Sequence, residues 1–174
     1  MVTPLKAREI EAALKRAGVD WAVSVPDWVQ LPLYRRLQDS DEVSVLATCA
    51  EDEAVGAAAG LTLAGAKPIL LLQNQGLYAA VNNIRAITLD GQIPMVFIVG
   101  QFGLEASKIG RPFDESSRRV VRLLPRLLDA MELPWRALDT SQDLENVDWA
   151  YEQWSEGRSA ILVMSRNMSW EDVA

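Results

Sequence analysis

The chain has 174 residues, of which 49% are hydrophobic, and a formal net charge of −7. This hydrophobic content is enough for a substantial core, and the acidic balance argues against nucleic acid or an anionic membrane surface as a partner. The chain has no histidine and one cysteine, which excludes histidine-dependent triads, histidine-ligated zinc and an internal disulfide. No apolar stretch reaches about 18 residues, so we expect a cytoplasmic protein without a membrane-spanning helix.

Apolar runs alternate with helical patterns along the whole chain. Helices are predicted over residues 4–18, 31–38, 51–65, 77–89, 118–131 and 146–157, with Thr3 as the N-cap of the first and Pro125 as a kink or restart in the fifth. Strands are predicted over residues 21–25, 43–48, 68–73, 94–100, 135–140 and 160–165. This alternation predicts one α/β domain over residues 1–174, with three layers: a parallel six-stranded sheet and helices on both faces.

Ligands of open α/β sheets gather at the carboxyl ends of the strands. The segments that follow the predicted strands there are residues 26–28, 48–53, 73–76 and 101–103. The chain lacks both the G-x-G-x-x-G fingerprint after its first strand and the G-x-x-x-x-G-K-[ST] loop. A nicotinamide or nucleoside triphosphate site of the usual kind is therefore disfavoured, and a Rossmann-like nucleotide binder is kept only as a weaker alternative.

Three carboxylates, Glu51, Asp52 and Glu53, open the third predicted helix. Acidic groups in a first helical turn stabilise the helix dipole by about 0.3–1 kcal/mol, which would explain any one of them. The dipole does not explain Gly56 and Gly60, because each costs about 1 kcal/mol relative to alanine in a helix interior. A helix so poor in bulk permits the close approach of another backbone or a flat ligand, or simply tight packing within one fold.

Four segments carry a family resemblance: VSVPD at 23–27, EDEAVGAAAGLTLAGAKP at 51–68, LLLQNQGLYAAVNNI at 70–84 and LLPRLLDAMELPW at 123–135. In this order they resemble the pyrimidine-binding (PYR) domain of thiamine-diphosphate-dependent enzymes. The nearest resemblance is to the alpha subunit of sulfopyruvate decarboxylase and the matching part of phosphonopyruvate decarboxylase. It implies the thiamine-diphosphate-binding fold and a thiamine-diphosphate-dependent decarboxylase of 2-oxo acids.

The resemblance also implies roles for individual residues. Glu51 matches the family's glutamate, which hydrogen-bonds a ring nitrogen of the cofactor's aminopyrimidine and activates it; Asp52 and Glu53 fall outside the match. The implied cofactor-binding residues are Pro26, Asp27, Thr48, Gln73, Asn74 and Gly76. The implied substrate pocket contains Trp28, Tyr78, Gln101 and Phe102, and no metal ligand is expected on this chain.

The family holds the cofactor's diphosphate and its Mg²⁺ on a second domain with a Gly-Asp-Gly motif, which this sequence lacks. The resemblance therefore implies a beta subunit that carries this motif, in an α2β2 or larger assembly, with the cofactor shared between the chains. The small-residue helix would then form a flat face at the subunit interface.

The sequence also departs from the family. Tyr78 and Ala79 stand where the family has Gly-Asn, and the phosphonopyruvate decarboxylase motif Trp-Arg-Gly-Glu-Pro is absent after the fourth strand. Lys108 and Arg111 could bind an anionic substrate instead, or be solvated loop charges. The identity of the 2-oxo acid therefore stays open, as do carboligation and a non-catalytic scaffold or regulatory role. Cys49 is expected to be buried and unreactive.

Overall fold

A computed structural model describes residues 4–171 and 173. Its sheet has six parallel strands in the order β2-β1-β3-β4-β6-β5. The strands are β1 Trp21–Ser24, β2 Ser44–Ala47, β3 Pro68–Gln73, β4 Val96–Gly100, β5 Trp135–Ala137 and β6 Ala160–Met164. All six lie inside the predicted segments, and the predicted α/β fold with a parallel sheet is confirmed.

Helices cover both faces of the sheet. They are α1 Ala7–Arg16, α2 Leu31–Gln38, α3 Glu51–Leu63, α4 Asn74–Ala79, α5 Val81–Ile84, α6 Arg119–Ala130 and α7 Glu145–Ser155. A π-helical turn, Arg85–Asp90, continues α5. In the part of the chain described, no helix has both the length and the apolar character to cross a membrane.

The period of two along each strand divides the core into two layers. On one face, Ile69 and Leu71 of β3 pack with α1, α2 and α7. On the other face, Leu70 and Leu72 of the same strand pack with α3, α4, α5 and α6. These alternate contacts explain why β3 is apolar at almost every position, as expected for a strand covered on both sides.

Three local predictions differ from the structure. The first helix begins at Ala7, where the Glu9 side chain accepts a hydrogen bond from the backbone N–H of Lys6, and the predicted cap Thr3 lies outside the described residues. The fourth predicted helix begins earlier, at Asn74, directly after β3. The helix α6 runs through Pro125 without a break.

The strand order places a topological switch between β1 and β3. The connection after β1 leads to α2 on one face, whereas the connection after β3 leads to α4 on the other. The two connections therefore separate at the carboxyl edge and leave the crevice in which open α/β sheets bind their ligands.

Candidate functional site at the carboxyl edge of the sheet

Asp27 lies at the switch point, immediately beyond β1, and is buried. Its Oδ1 accepts a hydrogen bond from Nε2 of Gln73 at 2.9 Å, which ties the ends of β1 and β3 together. Burial raises the pKa of Asp27, and hydrogen bonds from Gln73, the backbone of Val29 and Gln30 partly oppose the increase. The structure thus brings together the predicted residues Asp27 and Gln73.

Gly100, at the end of β4, makes room for the Asp27 carboxylate. A Cβ at this position would lie closer than 3.0 Å to atoms of Asp27 and of Val29. Gln30, which the sequence analysis did not single out, lies beside Asp27 and is buried. Its Nε2 donates a hydrogen bond to the backbone oxygen of Leu72 at 2.7 Å. Nothing in the sequence distinguishes this glutamine, because its role depends on the neighbouring strand.

Glu51 is the first residue of α3 and is half-buried. Its side chain lies directly against Gly76 of α4: a Cβ on that glycine would come within 3.0 Å of Oε1, Cγ and Cδ of Glu51. Among the residues that the structure describes, none donates a hydrogen bond to the Glu51 carboxylate. The site therefore contains a carboxylate that is held by packing and still has both oxygens available.

The neighbouring acids differ from Glu51, because both are exposed. Oε2 of Glu53 accepts a hydrogen bond from the backbone N–H of Cys49 at 3.3 Å, and Oδ1 of Asp52 accepts one from the N–H of Glu53 at 3.0 Å. These contacts are typical of acids at a helix N-terminus. Cys49 itself is exposed, so the prediction of a buried cysteine is wrong: the residue lies in the turn before α3, where no helix covers it.

Two further predicted residues lie in these turns. Pro26 follows β1 and is exposed. Thr48 follows β2, and its Oγ1 donates to the backbone oxygen of Ala50 at 3.1 Å, which shapes the entry into α3. Both residues lie at the carboxyl edge, as the strand positions predicted.

Asn74 and Gln101 are buried and bonded to each other. Nδ2 of Asn74 donates to Oε1 of Gln101 at 2.6 Å, and Nε2 of Gln101 donates to the backbone oxygen of Val121 at 3.0 Å. In a regular helix the Val121 oxygen would receive the N–H of residue 125, but Pro125 has none. Gln101 supplies the missing donor, which explains how α6 accommodates this proline.

The predicted substrate-pocket residues separate into two groups. Trp28, Gln101 and Phe102 line a pocket of about 420 Å³ at the carboxyl edge. Tyr78 lies elsewhere: its ring packs against the second core layer, and its hydroxyl donates to the backbone oxygen of Val120 at 2.7 Å. Burial raises the pKa of Tyr78.

The two loop cations proposed from the sequence do not line this pocket. Lys108 and Arg111 both approach Glu115, at 3.4 and 3.5 Å, so they fit the solvated-charge interpretation. The pocket contains two other cations, Arg118 and Arg166. Arg166 lies just beyond β6, so the rule that selected the other strand ends could also have selected it.

The described residues include no group of three or more Cys, Asp or Glu side chains that could hold a metal ion. The polar groups at the carboxyl edge instead suit an uncharged, hydrogen-bonding ring: one accessible carboxylate, side-chain amides and a glycine that leaves room beside it. Such a set can hydrogen-bond a planar heterocycle. It includes no Lys or Arg, because the two arginines at this edge, Arg118 and Arg166, belong to the pocket beside Trp28 and Phe102.

Comparison with known proteins identifies a family and several relatives. Residues 7–119 match the family model of the thiamine pyrophosphate enzyme, N-terminal TPP binding domain. Sulfopyruvate decarboxylase subunit alpha of Methanothermobacter thermautotrophicus is 33% identical over 128 residues, which are 73% of this chain and 74% of that protein. The subunit alpha of Methanocaldococcus jannaschii is 30% identical over 122 residues, or 70% of this chain and 69% of that protein.

A longer relative, sulfopyruvate decarboxylase of Methanosarcina acetivorans, is 27% identical over 140 residues. The match spans 77% of this chain and 34% of that protein. About three quarters of this chain is thus matched by about one third of that polypeptide.

Proposed function

Because this chain belongs to the family of thiamine pyrophosphate enzymes, through their N-terminal TPP binding domain, we propose that it is the pyrimidine-binding alpha subunit of a two-component thiamine-diphosphate-dependent enzyme that decarboxylates a 2-oxo acid. The relatives called sulfopyruvate decarboxylase subunit alpha support this reaction class. We assign the substrate to the sulfopyruvate and phosphonopyruvate type of 2-oxo acid.

The Glu51 carboxylate is the single observation that carries the proposal. It is half-buried at the carboxyl edge, fixed against Gly76 and free of donors from the described residues. In this position it would hold a proton between itself and a ring nitrogen of the cofactor's aminopyrimidine. When bound, thiamine diphosphate supplies the electron sink that the loss of CO₂ requires.

The remaining predicted residues would form the wall around that ring. Asp27 and Gln73 are already hydrogen-bonded across the switch point, and Asn74 fixes the start of α4 through Gln101. Pro26 and Thr48 lie in the turns that follow β1 and β2. In this arrangement Asn74 supports the site from inside the protein, because it is fully buried.

A beta subunit would complete the site. The sequence has no Gly-Asp-Gly motif, so we assign the diphosphate and Mg²⁺ to a partner that carries it, in a cytoplasmic α2β2 or larger assembly in which this chain supplies one PYR domain. The exposed face of α3 suits such a contact: a Cβ on Gly56 or Gly60 would meet nothing within 4 Å, and Leu63 is 73% exposed. This face continues directly from Glu51.

The decisive variant is Glu51→Gln, which keeps the size of the side chain but removes its acid–base function. In the complex reconstituted from this chain and its beta subunit, we expect turnover of sulfopyruvate to fall by about 10²–10⁴-fold, the usual contribution of a general acid–base group. Glu53→Gln is the matched control, because the same substitution two residues later changes an exposed helix-end acid.

Gel filtration must accompany the rate measurement. Intact assembly with lost turnover in Glu51→Gln, and near-normal turnover in Glu53→Gln, would support the assignment. Unchanged turnover in Glu51→Gln would contradict it and favour a scaffold or regulatory role. Product analysis of the wild-type complex with an added aldehyde or 2-oxo acid acceptor would separate decarboxylation from carboligation.

A further inference from the structure

The pocket of about 420 Å³ at the carboxyl edge has an unusual charge pattern. The chain has 24 acidic residues against 17 Lys and Arg, yet the residues lining this pocket include no Asp or Glu. They include two arginines, Arg118 and Arg166, beside the aromatic side chains of Trp28 and Phe102. The pocket is therefore positive within an acidic protein.

Neither guanidinium has a hydrogen-bond or ion-pair partner among the described residues. Other arginines of α6 do: Arg126 pairs with Asp114 at 2.9 Å, and Arg122 donates to the backbone oxygen of Ser116 at 2.6 Å. Two unpaired cations on one pocket repel each other, and an anion bound between them would relieve that repulsion.

Each of the two arginines lies beside a glycine of the 101–118 loop. Gly103 and Gly110 have positive φ angles of 89° and 79°, which favour glycine. A Cβ on Gly103 would lie 3.7 Å from Nη1 of Arg118, and one on Gly110 would lie 3.7 Å from Nη2 of Arg166. Each guanidinium thus lies beside a position without a side chain.

Two acids hold the segments that carry these arginines through hydrogen bonds of their own. Asp139 accepts hydrogen bonds from the N–H groups of Ser165 and Arg166, at 2.6 and 3.2 Å. Glu105 accepts from the hydroxyls of Ser116 and Ser117, at 2.7 and 2.6 Å. These two carboxylates fix the turn that carries Arg166 and the segment that leads into Arg118, and neither pairs with the guanidinium groups.

We propose that Arg118 and Arg166 form an anion site that selects 2-oxo acids with a second, tetrahedral acidic group, a sulfonate or a phosphonate. Guanidinium groups match the oxygens of such anions with paired N–H donors, and the exposed faces of Trp28 and Phe102 can cover the hydrocarbon part. The link to a 2-oxo acid rests on the proposed function, whereas the anion site rests on the pocket alone.

Calorimetric titration of the chain alone tests the anion site without requiring turnover. The probes are sulfoacetate and phosphonoacetate, with acetate as the monoanion. We expect saturable binding of the two tetrahedral anions, weaker binding of acetate, and about a tenfold increase in Kd for Arg118→Gln and for Arg166→Gln. Arg119→Gln is the matched control, since this neighbouring arginine does not line the pocket and should leave Kd unchanged.

The assembled enzyme then tests selectivity. Both variants should raise KM for sulfopyruvate about tenfold, with kcat and the turnover of pyruvate unchanged. No saturable binding of sulfoacetate to the wild-type chain, an equal loss in Arg119→Gln, or unchanged Kd in the two variants would overturn the proposal. If sulfoacetate binds as expected but no complex decarboxylates sulfopyruvate, the proposed function fails and the anion site stands.

Discussion

At the scale of single residues, the site depends on two glycines, whose lack of a side chain leaves room for a neighbouring carboxylate. Gly76 leaves room for the Glu51 carboxylate, and Gly100 leaves room for that of Asp27. In both cases the acid and the glycine come from different elements that meet at the carboxyl edge. Both carboxylates therefore occupy space that the glycine leaves open. The Asp27 carboxylate also accepts hydrogen bonds from Gln73 and Gln30, whereas that of Glu51 has no donor among the described residues.

Substitution of Gly76 by alanine tests this dependence. The new methyl group would overlap Glu51 and push its side chain out of place, so we expect turnover of the complex to fall at least tenfold. The double variant Glu51→Gln with Gly76→Ala should lose no more turnover than Glu51→Gln alone, because both changes act on one group. Fully additive losses, measured as kcat/KM, would show that Gly76 acts independently of Glu51.

The sequence was sufficient to predict those site residues whose position depends only on the end of one strand. Asp27 and Glu51 lie in the segments after β1 and β2, Gln73 is the last residue of β3, and all three lie at the carboxyl edge. The sequence could not predict that Gln101 satisfies the Val121 oxygen, because this requires knowing that Pro125 lies inside α6 beside β4. Of the two arginines of the pocket, Arg166 follows β6 and could have been selected by its strand end, whereas Arg118 is the N-cap of α6 after a long loop and has no such signal.

At the scale of elements, α3 has small residues on its buried face and glycines on its exposed face. Its inner face packs small residues such as Ala54 and Ala58 against the sheet, whereas its outer face exposes Gly56, Gly60 and Leu63. Exposed glycines weaken a helix without improving its packing. A partner surface that lies close to the backbone would give these glycines a function.

The variants Gly56→Ala and Gly60→Ala separate the effect of these glycines on the stability of the chain from their effect on assembly with the partner. In the isolated chain each substitution should raise the free energy of unfolding by about 0.5–1 kcal/mol, because a Cβ meets open space. In the complex, the same methyl groups should weaken assembly. Urea denaturation and sedimentation measure the two effects, and a stabilised variant that assembles normally would show that this face is not the interface.

The pattern of elements was largely predictable, and the exceptions have physical causes. Apolar runs predicted six strands, all of which form. The segment after β3 was expected to begin a helix later, but Gln73 takes the N-cap position and Asn74 begins α4 at once. The π-helical turn Arg85–Asp90 left no signal, because a short change of helical period does not alter which residues are apolar.

At the scale of the whole molecule, the proposed site is shared between this chain and a beta subunit. The carboxyl edge of this chain offers an accessible acid, amides and a positive pocket, while its sequence contains no diphosphate-binding Gly-Asp-Gly motif. This division agrees with the relatives, whose names specify a subunit alpha. The proposed chemistry therefore lies at a boundary between two polypeptides.

The structure of the complex with its beta subunit, thiamine diphosphate and Mg²⁺ tests this claim most directly. We predict that a Glu51 oxygen lies at hydrogen-bond distance, about 2.6–3.2 Å, from a ring nitrogen of the aminopyrimidine, with the diphosphate and the metal held by the beta subunit. A Glu51 carboxylate that faces bulk water, away from both the cofactor and the subunit boundary, would contradict the account.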